Sequence, residues 1–338
     1  MACDERLKPA VGRRALCASL LALPLFAGAA AAPGESWVAP LASKTLLLDI
    51  AAYGDKRIAV GSRGHILVSN DGGANWTQSP QVPTLALLTA VTMLDAGHAW
   101  AVGHDEVILR TSDGGATWQK VHESTAAQRP LLDVWFADAQ RGIAIGAYSA
   151  YYVTADGGRT WTPQPFVAAA AATAAAGAAS ADGEPPPDYH LNRIVAAGGR
   201  LYIAAEAGHV FRSDDQGASW HALPLPYDGS MFGLLPLGGD SLLVFGLRGN
   251  LFRSDDAGAS WAKLPTGTVA MLTAGVRLSA STLAIVGLSG TVLVSRDSGH
   301  SFTLQQRADR KGLAGAVAAG EDALLVVGEA GIEEVALQ

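Results

Sequence analysis

The sequence predicts an all-β chain, a seven-bladed β-propeller of four-stranded antiparallel blades, and three observations carry that expectation. One pattern, Ser/Thr-x-Asp-x-Gly-x-x-Trp/Phe, occurs six times, with its aspartates at Asp71, Asp113, Asp156, Asp215, Asp256 and Asp297. The steps between them are 42, 43, 59, 41 and 41 residues, and a period in the low forties fits a unit of four short strands. A glycine closes the second apolar run of each unit at Gly61, Gly103, Gly146, Gly246, Gly287 and Gly328, with Ala205 in the fourth unit. Seven such positions imply seven units, of which six carry the aspartate motif. Within a unit, apolar runs of four to six residues alternate with Gly and Asp turns, the pattern of short strands.

The segments follow in chain order. Residues 1–31 read as a secretory signal: Arg13 and Arg14 supply charge, Ala15 to Phe26 the apolar run, and Ala29 to Ala31 the small residues for cleavage. That run is too short to span a membrane, and no integral span is expected after cleavage near Ala31. Residues 36–338 are then the propeller. In its second unit the strands are expected at Leu88 to Met93, Ala99 to Val102, Val107 to Arg110 and from Trp118 to Val121. The motif between the last two has a turn mechanism: Asp113 accepts backbone N–H bonds, Thr111 ties its hydroxyl to the same loop, and Gly115 takes a positive φ. Trp118 is then free to pack between sheets. The long step contains Ala168 to Pro187, an Ala- and Pro-rich stretch without strand periodicity, expected to be a flexible surface insertion. The last unit, from Leu313, shows three strand-like runs. Its fourth strand is expected from Ser36 to Leu41, closing the ring and removing an open edge.

Charge and cysteine usage narrow the class. Cys3 and Cys17 both lie in the leader, so the mature chain is expected to carry neither disulfide nor cysteine metal site. Net charge is −7, and losing the leader makes it −9; with no basic run or stripe, nucleic acid is not an expected partner.

The aspartate motifs, known as Asp-box or BNR repeats, together with the phrases VGSRGHI at Val60, FGLRGNL at Phe245 and VGLSGTV at Val286, resemble the photosystem II stability/assembly factor family. The likeness covers nearly the whole mature chain and is to the non-photosynthetic bacterial type. It implies an exported, periplasmic propeller that acts as a non-enzymatic accessory factor. Its implied partner is a membrane protein complex, with exporters of the resistance-nodulation-division type as the implied class.

The competing class is a glycan-active hydrolase, since sialidases and glucanases carry the same repeats. The Phe/Tyr-Arg-Ile-Pro sequence of sialidases is missing. Phe211-Arg212 and Phe252-Arg253 instead run straight into the motif as third strands. Asp49, Asp133, Glu206 and Glu329 sit near strand ends and are the acids that a hydrolase reading would use. The pairs Asp214-Asp215 and Asp255-Asp256 each contain a motif aspartate, so they read as turns rather than a calcium dyad. Eight scattered histidines show no ligand spacing, and neither catalytic residues, a metal nor a cofactor is expected. The motif aspartates are expected to be structural. The turns after the second strands place Arg63, His104, Tyr148, Glu206, Arg248, Leu288 and Glu329 at one end of the ring, and Arg63, His104, Tyr148 and Arg248 are the candidate binding face. Asp49, Asp133, Trp135, Arg193 and Arg277 are polar or bulky residues set among apolar neighbours on first strands.

Overall fold

The second run of each unit is buried along most of its length, and in three units from end to end. Ala99–Gly103, Gly142–Gly146 and Leu283–Gly287 have no exposed member. A strand apolar on both faces needs cover on both sides of its sheet, and a ring of sheets provides it. The computed structural model, which describes Met1 and residues 34–169 and 188–338, forms such a ring of seven sheets, antiparallel but for one added strand in blade four. The innermost strands are Leu47–Tyr53, Leu88–Met93, Leu131–Phe136, Leu191–Ala197, Met231–Gly238, Leu272–Arg277 and Leu313–Ala318. Each packs against the next, and Leu313–Ala318 packs against Leu47–Tyr53 to close the circle. The seven-bladed propeller read from the period is therefore the fold.

No single core fills the molecule. Seven apolar clusters lie between blades, one at each of the seven interfaces. The closing cluster joins Leu325, Val327 and Ile332 of the last blade to Leu47, Ile50, Ala59 and Leu67 of the first. The glycine that ends most second strands has a different reason from a turn. Gly61 has φ 179 and Gly287 φ −167, extended backbone open to any residue. A Cβ at Gly61 would meet the carbonyl of Leu46, and one at Gly287 that of Met271. Close approach to the first strand of the same blade, not backbone freedom, selects glycine there.

Two expectations about the edges need correction. Ser36 to Leu41 does not complete the last blade: Ser36 bridges Val82 between blades one and two, and among the described residues the last blade has three strands, ending in Gly331–Ala336. The backbone of Trp37 and Ala39 is instead held by the amide of Gln78, which fixes this segment beside the first blade. The insertion at 168–187 begins with order, because Ala168–Ala169 pairs parallel to Trp220 and His221 as a fifth strand of blade four. Residues 170–187 lie outside the described residues, as does the leader beyond Met1 with its cleavage point. Among the described residues no helix is long and apolar enough to cross a membrane.

Candidate functional site

The ring presents two loop faces. One carries the six Asp hairpins, and the same bonding recurs in all. The Thr111 hydroxyl donates to Asp113 Oδ1 at 2.8 Å and accepts the buried N–H of Gly115 at 3.0 Å. Asp113 in turn accepts the N–H of Thr117 at 3.0 Å and the Thr117 hydroxyl at 2.5 Å. Asn75, Thr160, Ser219, Ser260 and Ser301 repeat that last contact on their own aspartates. The residue before the motif aromatic is thus always a donor, a restriction plain in the sequence but read there as a free position. Two successive residues, not one, take positive φ: Gly114 at 73° and Gly115 at 91°, and Gln216 at 60° before Gly217 at 94°.

These hairpins also join blades. Gly114 and Gly115 accept Lys56 Nζ and Ser79 Oγ through their carbonyls, at 2.7 and 2.6 Å. Around the ring, Arg110 reaches Gly157, Tyr151 reaches Gly217, Arg212 reaches Ala257 and Arg253 reaches Ser298. The hairpins of blades two to six are each held by a side chain of the preceding blade. The carboxylates are held low for the same local reason. At Asp71 the N–H and then the side-chain amide of Asn75 bring the carboxyl to about 2. At Asp113 burial pushes upward, but the hydroxyl and N–H of Thr117 outweigh it and the value again falls to about 2.

A depressed carboxyl contributes stability that is complete above its ordinary pKa and lost as pH falls through the folded one. The melting temperature is therefore expected to hold down to pH near 4 and to fall steeply between pH 4 and pH 2. Thr111→Val, which orphans a buried N–H, is expected to cost about 1–3 kcal/mol in urea unfolding. Asp113→Ala, whose partners regain water, is expected to cost about 1 kcal/mol. Neither substitution is expected to change binding by the folded protein.

The opposite face carries the turns after the second strands and the links between blades. In four of these turns, Arg63, Tyr148, Arg248 and Ser289 occupy the second position, each in the left-handed region at φ 54–57. His104, Glu206, Leu288 and Glu329 stand one residue earlier, so the face residues listed from sequence mix two positions. Arg63, His104, Tyr148 and Arg248 are nonetheless all exposed on this one face. Glu206 and Glu329 each accept a backbone N–H of the link preceding their own blade, from His190 at 2.8 Å and Gly312 at 3.0 Å. Exposed apolar side chains gather here as well: Leu85, Tyr148, Leu247, Val269 and Leu288, with Val269 84% exposed. On the Asp-hairpin face, Tyr53 is the counterpart.

One sector of this face was not signalled by the motif. The third turn position is glycine at Gly64, Gly208, Gly249 and Gly290, but Glu106 and Ser149 fill it with φ 52 and 54. Glu106 is buried, and its carboxylate takes Arg129 at 2.6 Å and the Tyr152 hydroxyl at 2.9 Å. Ser149 accepts the N–H of Tyr189 at 2.9 Å. These bonds offset the strain of a side chain in the left-handed region. Beside them Arg129, Tyr148, Tyr152, Phe166 and Asp188 line a cleft of about 360 Å³. The only sequence signal was the departure from glycine at this position.

The polar residues of the first strands meet inside the ring. Every first strand carries a bulge near its start, and the residue after it points inward: Asp49, Asp133 and Arg193 occupy that place in blades one, three and four. Arg193 bridges the two carboxylates, at 3.5 Å to Asp49 and 3.4 Å to Asp133. Asp49 also accepts the N–H of Val91 at 3.0 Å, and Asp133 that of Ile194 at 2.8 Å. Burial pushes Asp133 up to about 6 against the attraction of Arg193, while Asp49 adds repulsion. Asp133 holds Arg193 well above its ordinary range. Two of the four acids that a hydrolase reading would use, Asp49 and Asp133, are thus bonded to backbone and guanidinium across the ring. Trp135 packs against the cluster between blades three and four, and Arg277 bonds the carbonyls of Leu237 and Ser279. Among the described residues no group of acids and histidines could hold a metal ion.

The sequence model of the photosynthesis system II assembly factor YCF48 family matches residues 32–127 and 122–281. A solved structure described as YCF48 bound to D1 peptide is similar at 16% identity and TM-score 0.66, over 87% of this chain and 94% of that one. YCF48 from Cyanidioschyzon merolae is similar at 15% identity and TM-score 0.67, over 90% and 99%. The C-terminal WD40 domain of Sif2 shares the fold at 13% identity and TM-score 0.59, over 86% and 81%. No curated protein matches the sequence.

Proposed function

We propose a docking function from one premise: this chain belongs to the family of the photosynthesis system II assembly factor YCF48. It acts as a non-enzymatic accessory factor that holds a segment of a membrane protein complex against its loop face. A relative solved with a D1 peptide supports a protein segment as the ligand. The observation that carries the choice of face is that Leu85, Tyr148, Leu247, Val269 and Leu288 are exposed on the face that also presents Arg63 and Arg248. Apolar side chains interspersed with arginines make a surface suited to protein recognition. The hairpin face, by contrast, spends its carboxylates and carbonyls on holding the ring together. The charged, apolar and small-residue order of the leader supports a periplasmic location, and a resistance-nodulation-division exporter is the partner proposed there.

A photo-crosslinker at Tyr148 or Leu247, in cells with native membranes, is expected to capture a membrane transporter, whereas one at Ser112 on the hairpin face captures none. Arg63→Glu with Arg248→Glu is expected to reduce capture about tenfold, the cost of like charge at an interface rim. N-terminal sequencing of periplasmic protein is expected to begin within a few residues of Ala31. Turnover of a glycoside that disappears in Asp133→Asn would overturn the non-enzymatic reading in favour of a hydrolase.

A further inference from the structure

We propose that the outer edge of blade seven is an acceptor for one extended segment of a partner protein, which adds to the blade as its fourth strand. The inference stands independently of the loop-face reading. In blades one to six the third strand is covered by an antiparallel fourth. In blade seven, among the described residues, Gly331–Ala336 ends the sheet. Leu337 donates inward to Asp322, so alternation turns the backbone N–H and C=O of Ile332 and Glu334 outward. The carbonyl of Ala336, also outward, is taken by the Gln305 side chain at 2.9 Å, and the span before it has no strand partner among the described residues.

A slot lies along this edge. Lys44, Trp76, Leu325, Ile332 and Glu334 are among the residues that bound about 350 Å³ between blade seven and the first Asp hairpin. Ile332 and Leu325 form an apolar floor with Trp76, while Glu334 is exposed on the same side. Glu333 points to the other side and is paired with Arg307 at 2.7 Å. An open strand edge is a template for pairing, and main-chain bonds supply affinity while alternate side chains supply choice. An incoming strand antiparallel to Gly331–Ala336 passes Glu334 first and Ile332 two residues later. The register therefore selects a Lys or Arg, then any residue, then an apolar residue.

The test uses the full chain and the synthetic peptide Ser-Thr-Lys-Thr-Val-Thr-Ser, with amide hydrogen exchange read at Ile332 and Glu334 by NMR. In free protein both amides are expected to exchange rapidly, and saturating peptide is expected to slow them at least tenfold. Glu334→Lys is expected to weaken this peptide at least fivefold and to favour Ser-Thr-Glu-Thr-Val-Thr-Ser instead. Glu334→Pro removes only an outward N–H, a place where strands tolerate proline. It is expected to keep the melting temperature and to abolish the protection. Slow exchange of both amides without peptide would overturn the proposal, because the edge would then be filled by this chain or a second copy. Peptide affinity unchanged in both variants, or no protection at millimolar peptide, would overturn it too.

Discussion

Arg193→Ala is expected to lower stability by about 2–4 kcal/mol in urea unfolding, because it leaves Asp49 and Asp133 buried without their cation. Breaking a fully buried pair costs about 3–5 kcal/mol, and the lower range applies because the Arg193 side chain is 37% exposed. Arg193→Lys is expected to recover part of the loss, since an ammonium is a point charge without the planar fork that reaches both carboxylates. The pH dependence has a definite sign. Asp133 binds its proton more tightly folded than unfolded, so its contribution declines as pH rises from about 4 to about 6. In Arg193→Ala the decline is expected to deepen, because repulsion between the two acids is no longer offset. A melting temperature of the variant that rises over this window would contradict the assignment.

Trp100→Ala is expected to cost about 3–5 kcal/mol, the range for emptying a buried aromatic site. Trp100 is 1% exposed and stacks on Phe136 with ring centroids 3.5 Å apart. Its indole N–H donates to Gly157 at 3.3 Å, so a single side chain of blade two supports the core and the hairpin of blade three. Trp100→Phe keeps the stacking partner and loses the bond, and is expected to retain more than half of that stability. Calorimetry of both variants gives the comparison.

The sequence made some of this legible and left the rest obscure for physical reasons. The blade period followed from the spacing of Asp71, Asp113, Asp156, Asp215, Asp256 and Asp297, because a hairpin that satisfies its own backbone needs the same residues each time, and the count of seven followed from the residues that close the second strands. The path of Ser36 to Leu41 did not follow. Any short apolar segment fits an open edge in principle, and the bond to Val82 and the grip of Gln78 depend on where blade one sits. Asp49, Asp133 and Arg193 stood out as polar residues among apolar neighbours, but a linear period does not say which blades face each other across a ring. Glu106 escaped notice because its significance is the glycine that it replaces, and only the φ of 52 and the ion pair to Arg129 show what that replacement does.

The chain of side chains that each reach the next hairpin has one further consequence. It runs from blade one to blade six and ends there, because blade seven has no Asp hairpin to receive a donor; Arg296 meets the exposed Asp322 instead, at 3.1 Å. A closed ring opens at its weakest junction, and thermal breathing concentrates where such fastenings are fewest. Limited proteolysis under native conditions should then nick Gly331–Ala336 and its flanking turns before any other blade. The place where the circle is least tightly sewn is also the place where another chain can be let in.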